Sequence, residues 1–74
     1  MITVLFFGRM ADAAGTRRME IAMPESGLRL AMLRAQVLPG QTGARMSLNR
    51  VVIRDDADVA DGDEVAFFSV FSGG

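Results

Sequence analysis

Asp61-Gly62-Asp63-Glu64-Val65-Ala66-Phe67-Phe68 turns and then runs apolar, and the fold is read outward from it. Asp61-Gly62 is a turn pair, because Gly takes positive φ without steric cost, and the β-favouring residues that follow predict a strand over 64–68. Immediately upstream, residues 55–63 are an acidic loop in which Val59 is the inward anchor. Two short strands are expected at 46–48 and 51–53, joined by a tight turn at Asn49-Arg50, since Asn tolerates positive φ. Pro39-Gly40 ends a helix expected over 27–38 with Ser26 as its N-cap. On that helix Leu30, Leu33 and Val37 share a face, with Ala31 and Leu38 beside them and Arg29 and Arg34 turned outward.

Nearer the start, residues 18–23 alternate as a half-buried strand does and stop at Pro24. Residues 9–14 are good helix formers ending at Gly15, a candidate left-handed cap. The opening run over 2–8 is β-branched and aromatic and reads as a strand covered on both faces. Strand, strand, helix and further strands in one unit is the plan of a β-grasp domain, an α+β layer pair. The expected architecture is a mixed sheet of four to five strands with one main helix on one face and the first and last strands side by side at its centre. Residues 1–68 form the domain, and 69–74 form an extended tail ending in Gly-Gly.

With 74 residues the chain has room for little more than one core, so function is expected at an edge or an end. It contains no Cys, so it can build neither a disulfide framework nor a thiolate metal site, and a reducing, cytoplasmic home fits. The apolar run Ile2-Thr3-Val4-Leu5-Phe6-Phe7 lacks a basic flank and is too short for a signal segment or a membrane span. Net charge is −1 and Arg17-Arg18 is the lone adjacent basic pair, with no aromatic residues interleaved, which argues against nucleic acid. All eight basic residues are Arg, so no side-chain amine is available as an acyl acceptor.

His, Cys, Tyr, Lys and Trp are all missing, and with them go the usual nucleophiles, the bases that work near neutral pH and the soft metal ligands. The chain is therefore not expected to be an enzyme on its own. Carboxylates concentrate between Asp55 and Glu64, but counting a calcium loop from Asp56 puts Ala60, Asp61 and Phe67 where a ligand, a glycine and a glutamate belong. No metal and no resident cofactor is expected. Gly40 and Gly43 lack the lysine of a phosphate loop, so any ATP is bound by another protein.

Two features remain. The chain closes on Gly73-Gly74, directly after a core strand and a segment without Pro, and six residues extend roughly 20 Å. Without Cβ atoms the last two can thread a narrow channel and deliver a carboxylate to a neighbour. Joined to AMP, that carboxylate becomes an activated acyl group, which a persulfide or sulfide converts to a thiocarboxylate. The second feature is the doublets Phe6-Phe7, Val51-Val52 and Phe67-Phe68, each of which sends one side chain to the helix face and one to the opposite face. The outer members either form an apolar partner site or are covered by loops.

Asp61 to Phe68, with Gly73-Gly74 six residues on, closely resembles the small subunit of molybdopterin synthase. Val4-Leu5-Phe6-Phe7 and Leu48-Asn49-Arg50-Val51-Val52-Ile53 resemble that family too, so the similarity spans nearly the whole chain. The resemblance implies a cytoplasmic sulfur carrier for the molybdenum cofactor. Its Gly74 is adenylylated by an E1-like adenylyltransferase using ATP, carries the thiocarboxylate, and donates sulfur to a pyranopterin precursor in the synthase large subunit. Phe71, Ser72 and Gly73 thread the partner's channel, and Phe7, Val52 and Phe68 match the docking surface. The chain departs from the family's usual pattern at Ser69-Val70, where Pro-Pro is common, at Phe71, where a smaller apolar residue is usual, and in a shorter middle around residues 39–44. A thiamine-pathway carrier of the same fold and a ubiquitin-like modifier of lysines are the alternatives.

Overall fold

Strand β7 (Glu64–Phe68) runs through the middle of a five-stranded sheet, with β1 (Ile2–Phe6) parallel on one side and β4 (Arg45–Leu48) antiparallel on the other. The edges are β2 (Arg18–Ile21), beside β1, and β5 (Val51–Ile53), beside β4, giving the order β2-β1-β7-β4-β5. This is a computed structural model, and it describes residues 1–69. Phe71, Ser72, Gly73 and Gly74, on which the tail expectations fall, lie outside the described residues. The expected β-grasp layout, with the first and last strands adjacent at the sheet centre, is the one observed.

The cross-strand register explains why the apolar pattern closes one core. Phe6, Phe67, Met46 and Ile53 form one row across β1, β7, β4 and β5, and Val4, Val65, Leu48 and Val51 form the next. Because side chains alternate, both rows face the same side of the sheet. Helix α2 (Leu30–Val37) packs on that side through Leu30 and Leu33, with Leu38 just after it, all fully buried. The rings of Phe6 and Phe67 stack at a centroid distance of 5.9 Å and an interplanar angle of 21°. A short helix α1 (Arg9–Ala14) buries Met10 and ends at Gly15, whose φ of 76° lets its N–H reach the Ala11 carbonyl at 2.9 Å.

Three expectations are corrected. The first strand is covered on one face only among the described residues: Ile2, Val4 and Phe6 are buried, while Thr3 and Leu5 are half-buried and Phe7 is 53% exposed, because no described element packs over that side. The strand at 18–23 is shorter than expected, ending at Ile21. The main helix begins at Leu30 and not at residue 27, so Ser26 is not its cap. Gly27 sits at φ 89°, outside the helical region, and Leu28 and Arg29 form a two-residue strand, β3 (Leu28–Arg29), paired with β6 (Asp58–Val59). The acidic segment is thus partly strand, and Val59 is its buried anchor.

The cap that Ser26 does not supply comes from Asp56, far along the chain. Its Oδ1 accepts the N–H of Ala31 at 3.0 Å and that of Ala57 at 2.9 Å, its Oδ2 accepts Arg29 Nε at 3.0 Å, and the Ala57 carbonyl accepts the Leu30 N–H at 3.0 Å. Orphan donors of the first helical turn are met by a carboxylate at the positive end of the helix. The Ala31 N–H, followed by that of Ala57 and the Arg29 guanidinium, holds the Asp56 carboxyl below its usual value of 3.8. A carboxyl lowered in the folded state adds stability above 3.8 that is lost as pH falls through the folded value. Thermal melts taken through this acid range are expected to show a falling Tm in the wild type. In Asp56→Asn, which keeps an acceptor oxygen but cannot titrate, the fall is shallower, and an unchanged slope would refute the assignment.

Candidate docking face

The side of the sheet away from α2 carries the second set of alternating residues. Leu5, Ala66, Ser47 and Val52 form one row across β1, β7, β4 and β5, and Phe68 stands opposite Arg45 in the next. Phe7 continues β1 beside Phe68, its N–H bonded to the Phe67 carbonyl at 3.0 Å. Leu5, Phe7, Val52, Ala66 and Phe68 surround a concavity of about 520 Å³ with Ser47 in its floor. Arg50 and Glu64 stand at its rim, paired at 3.9 Å.

The residues singled out from sequence, Phe7, Val52 and Phe68, therefore come together on one face. Phe7 and Val52 are 53% and 56% exposed, while Phe68 is half-buried. The doublet argument holds for Phe6-Phe7 and Phe67-Phe68, whose first members are buried in the core. At Val51-Val52 it holds for direction only: Val51 points to the helix side yet is 62% exposed, because β5 is the sheet edge and α2 does not reach it. Leu5, Ala66 and Ser47 were not singled out in advance. Counting back two residues from Phe7 and Phe68, and forward one from Met46, finds all three.

The turn at the far end of the sheet is built by side chains that fit their backbone. Asn49 and Arg50 take φ of 50° and 71°, the left-handed pair that a two-residue hairpin turn needs. Asn49 Oδ1 accepts the Glu64 N–H at 2.9 Å, and its Nδ2 donates to Asp63 at 3.1 Å. Asp63 also accepts the Ala60 N–H at 2.8 Å, and these two bonds, that of Ala60 first, hold its carboxyl below the usual range. Asp63 and Glu64 of the deciding stretch thus tie the start of β7 to the β4-β5 turn and set β7 in register. Among the described residues no group of three or more His, Cys, Asp or Glu side chains is placed to hold a metal, and no helix is long and apolar enough to cross a membrane.

A family model described as the ThiS family matches residues 4–74. The chain belongs to the ThiS family. As a ThiS-family protein it is a small ubiquitin-like sulfur carrier, of a kind that works with E1-like activating enzymes and partner enzymes rather than catalysing alone. Among solved structures, the crystal structure of SAMP1 from Haloferax volcanii matches it with a TM-score of 0.72 at 21% identity, covering 99% of this chain and 98% of that one. At that identity the likeness establishes the shared fold. No curated protein sequence matches this ThiS-family chain.

Proposed function

We propose that this ThiS-family chain is the sulfur carrier for molybdopterin synthesis, with Gly74 as the group that is charged. The observation that carries the reading is the exposed apolar face of Leu5, Phe7, Val52 and Phe68 at the end of β7, the strand from which residues 70–74 continue to Gly73-Gly74. A partner seated on this face receives the carboxylate within reach of the tail. The Asp61 to Phe68 stretch, with its doubled Phe, supports the molybdopterin pathway over the thiamine pathway.

The chain contributes a carboxyl group and a docking surface, and its partners contribute the catalysis. The Gly74 carboxylate attacks the α-phosphorus of ATP on the E1-like enzyme, releasing pyrophosphate and leaving an acyl adenylate. Sulfide, or a persulfide whose disulfide bond a second thiol then reduces, attacks the acyl carbon and expels AMP. The resulting thiocarboxylate donates its sulfur to the pyranopterin precursor in the synthase large subunit, and hydrolysis of the acyl bond restores the carboxylate. Phe71, Ser72 and Gly73 thread the partner's channel ahead of Gly74, and the small Gly73 suits a tight channel.

Mass spectrometry of protein made in a host able to charge it tests the reading. One oxygen replaced by sulfur, mapped to Gly74 and consumed on incubation with synthase large subunit and precursor, is the expected result. Gly74 in isopeptide linkage to lysines without a thiocarboxylate would select the modifier, and sulfur passed only to a thiazole-forming enzyme would select the thiamine pathway. Phe68→Arg is expected to weaken the complex with the large subunit by at least about tenfold while circular dichroism stays native, as a buried interface aromatic is commonly worth 2 kcal/mol or more. Loss of the folded signal would show instead that Phe68 belongs to the core.

A further inference from the structure

The one primary amine of this chain and the root of its tail stand at opposite ends of the sheet. All eight basic residues are arginines, and a guanidinium stays protonated and offers no lone pair, so the amine is the α-amino group of Met1. Its ammonium donates to Asp61, and the Met1 carbonyl accepts the Gly62 N–H at 2.9 Å, which fixes Met1 beside the turn that precedes β7. Because β1 and β7 are parallel, with Thr3 opposite Glu64 and Phe6 opposite Phe67, the tail leaves from the far end of the same strand pair, where Phe68 lies beside Phe7. Along extended backbone, Met1 to Phe7 is about 20 Å. Any path from Phe68 back to Met1 has to reverse direction. A turn over 68–71 spans less than about 7 Å, and Ser72, Gly73 and Gly74 then extend about 10 Å, so the acyl carbon of Gly74 stops roughly half-way to the amine.

We infer that a copy activated at Gly74 cannot acylate itself, because the parallel pairing of β1 and β7 holds its only amine beyond the reach of its own tail. The inference rests on the proposed function for the activation of Gly74 and goes beyond it in stating why the acyl group lasts until a sulfur nucleophile arrives from outside. An amine at the tail root would attack the acyl carbon of the adenylate, form a C–N bond, expel AMP and pass its proton to solvent, closing the chain into a ring with no terminus left to carry sulfur. Such an amine acts at an effective concentration of about 1 mM, whereas one that the tether cannot span contributes essentially nothing. Between separate copies at micromolar concentration the encounter is about a thousandfold weaker than within reach of a tether. Position 45 is where one change undoes the arrangement. Arg45 stands opposite Phe68 on the neighbouring strand, about 5 Å away, so an amine placed there lies within reach of the tail with the charge unaltered.

The test uses the full chain with Gly74 prepared as the thioester of a small thiol, so that the acyl group is activated without any enzyme. Wild type and Arg45→Lys are held at micromolar concentration in mildly alkaline buffer and followed by mass spectrometry, with circular dichroism to show that both are folded. The wild type is expected to lose its thioester by hydrolysis alone. Arg45→Lys is expected to give at least about tenfold more of a species lighter than the free acid by one water, with Gly74 mapped in amide linkage to position 45 and a rate independent of chain concentration. A wild-type ring joining Gly74 to Met1 overturns the inference, and so does an Arg45→Lys chain that only hydrolyses, since the missing amine would then not be what protects the acyl group. Incubation of the wild type with ATP and the E1-like adenylyltransferase is scored separately. No pyrophosphate release there, beside the expected thioester results, sinks the Gly74 reading and upholds the separation of the two ends.

Discussion

Removal of Gly73 and Gly74 is expected to leave a folded domain that cannot be charged, with thiocarboxylate and acyl adenylate both falling below detection. Two extended residues span about 7 Å, so the truncated carboxylate stops that far short of its target. Displacement of a reacting group by 1 Å can cost about a hundredfold in rate, and a shift several times larger removes the reaction altogether. The new last residue would be Ser72, whose Cβ and hydroxyl also have to enter a channel suited to glycine. No residue of the described core is touched, so the thermal melt of the truncated chain is expected to match the full-length one within about 2–4 °C, the shift that the roughly 0.5 kcal/mol of a remote surface change produces in a domain this small. Normal charging of the truncated chain would end the proposal that Gly74 is the working group.

The second large effect is on folding. Phe67→Ala is expected to cost about 3–5 kcal/mol, the range for truncating a buried aromatic. Phe67 is fully buried, stacks on Phe6 and sits in the central strand, so no side chain can shift to fill the space without disturbing β1 and β4. A domain of 74 residues has a total stability of about 4–11 kcal/mol, so the loss takes from roughly a quarter to all of it. Chemical denaturation monitored by circular dichroism reads this directly. One residue further on, Phe68→Ala faces outward and is expected to cost far less. Equal losses at the two positions would contradict the assignment of faces.

The contrast between these neighbours shows what was legible in advance. A doublet of phenylalanines in a strand must divide between two faces, and the chain has one main helix with which to cover one of them. The split between two faces followed from that count, and Leu5 and Ala66 could have been added to the outer set by stepping back two residues, whereas the count left open whether loops cover that face. The charge on the face was not legible in the same way. Arg45 reads as an ordinary solvated residue until the register sets it against Phe68.

The start of the main helix shows the same division. Ser26 is a sound local candidate for a cap, and the residues after it suit a helix. Gly27 is free to adopt the positive φ that Leu28 and Arg29 need in order to meet β6, and the helix then starts three residues later, capped by Asp56. A contact between residues 25 positions apart cannot be weighed against a local cap without knowing that they meet.

The sequence by itself determined the order of the five sheet strands and the two helices, the turns at Asn49-Arg50 and Asp61-Gly62, and the lack of His, Cys, Tyr, Lys and Trp. These follow from local sterics, periodicity and residue chemistry, which act within a few positions along the chain. Tertiary structure alone decided where α2 begins, that Val51 at the sheet edge stays uncovered, and that Arg45 stands opposite Phe68. Those outcomes depend on which distant segments come within a few ångströms of one another, and long-range pairing sets that where local preference cannot.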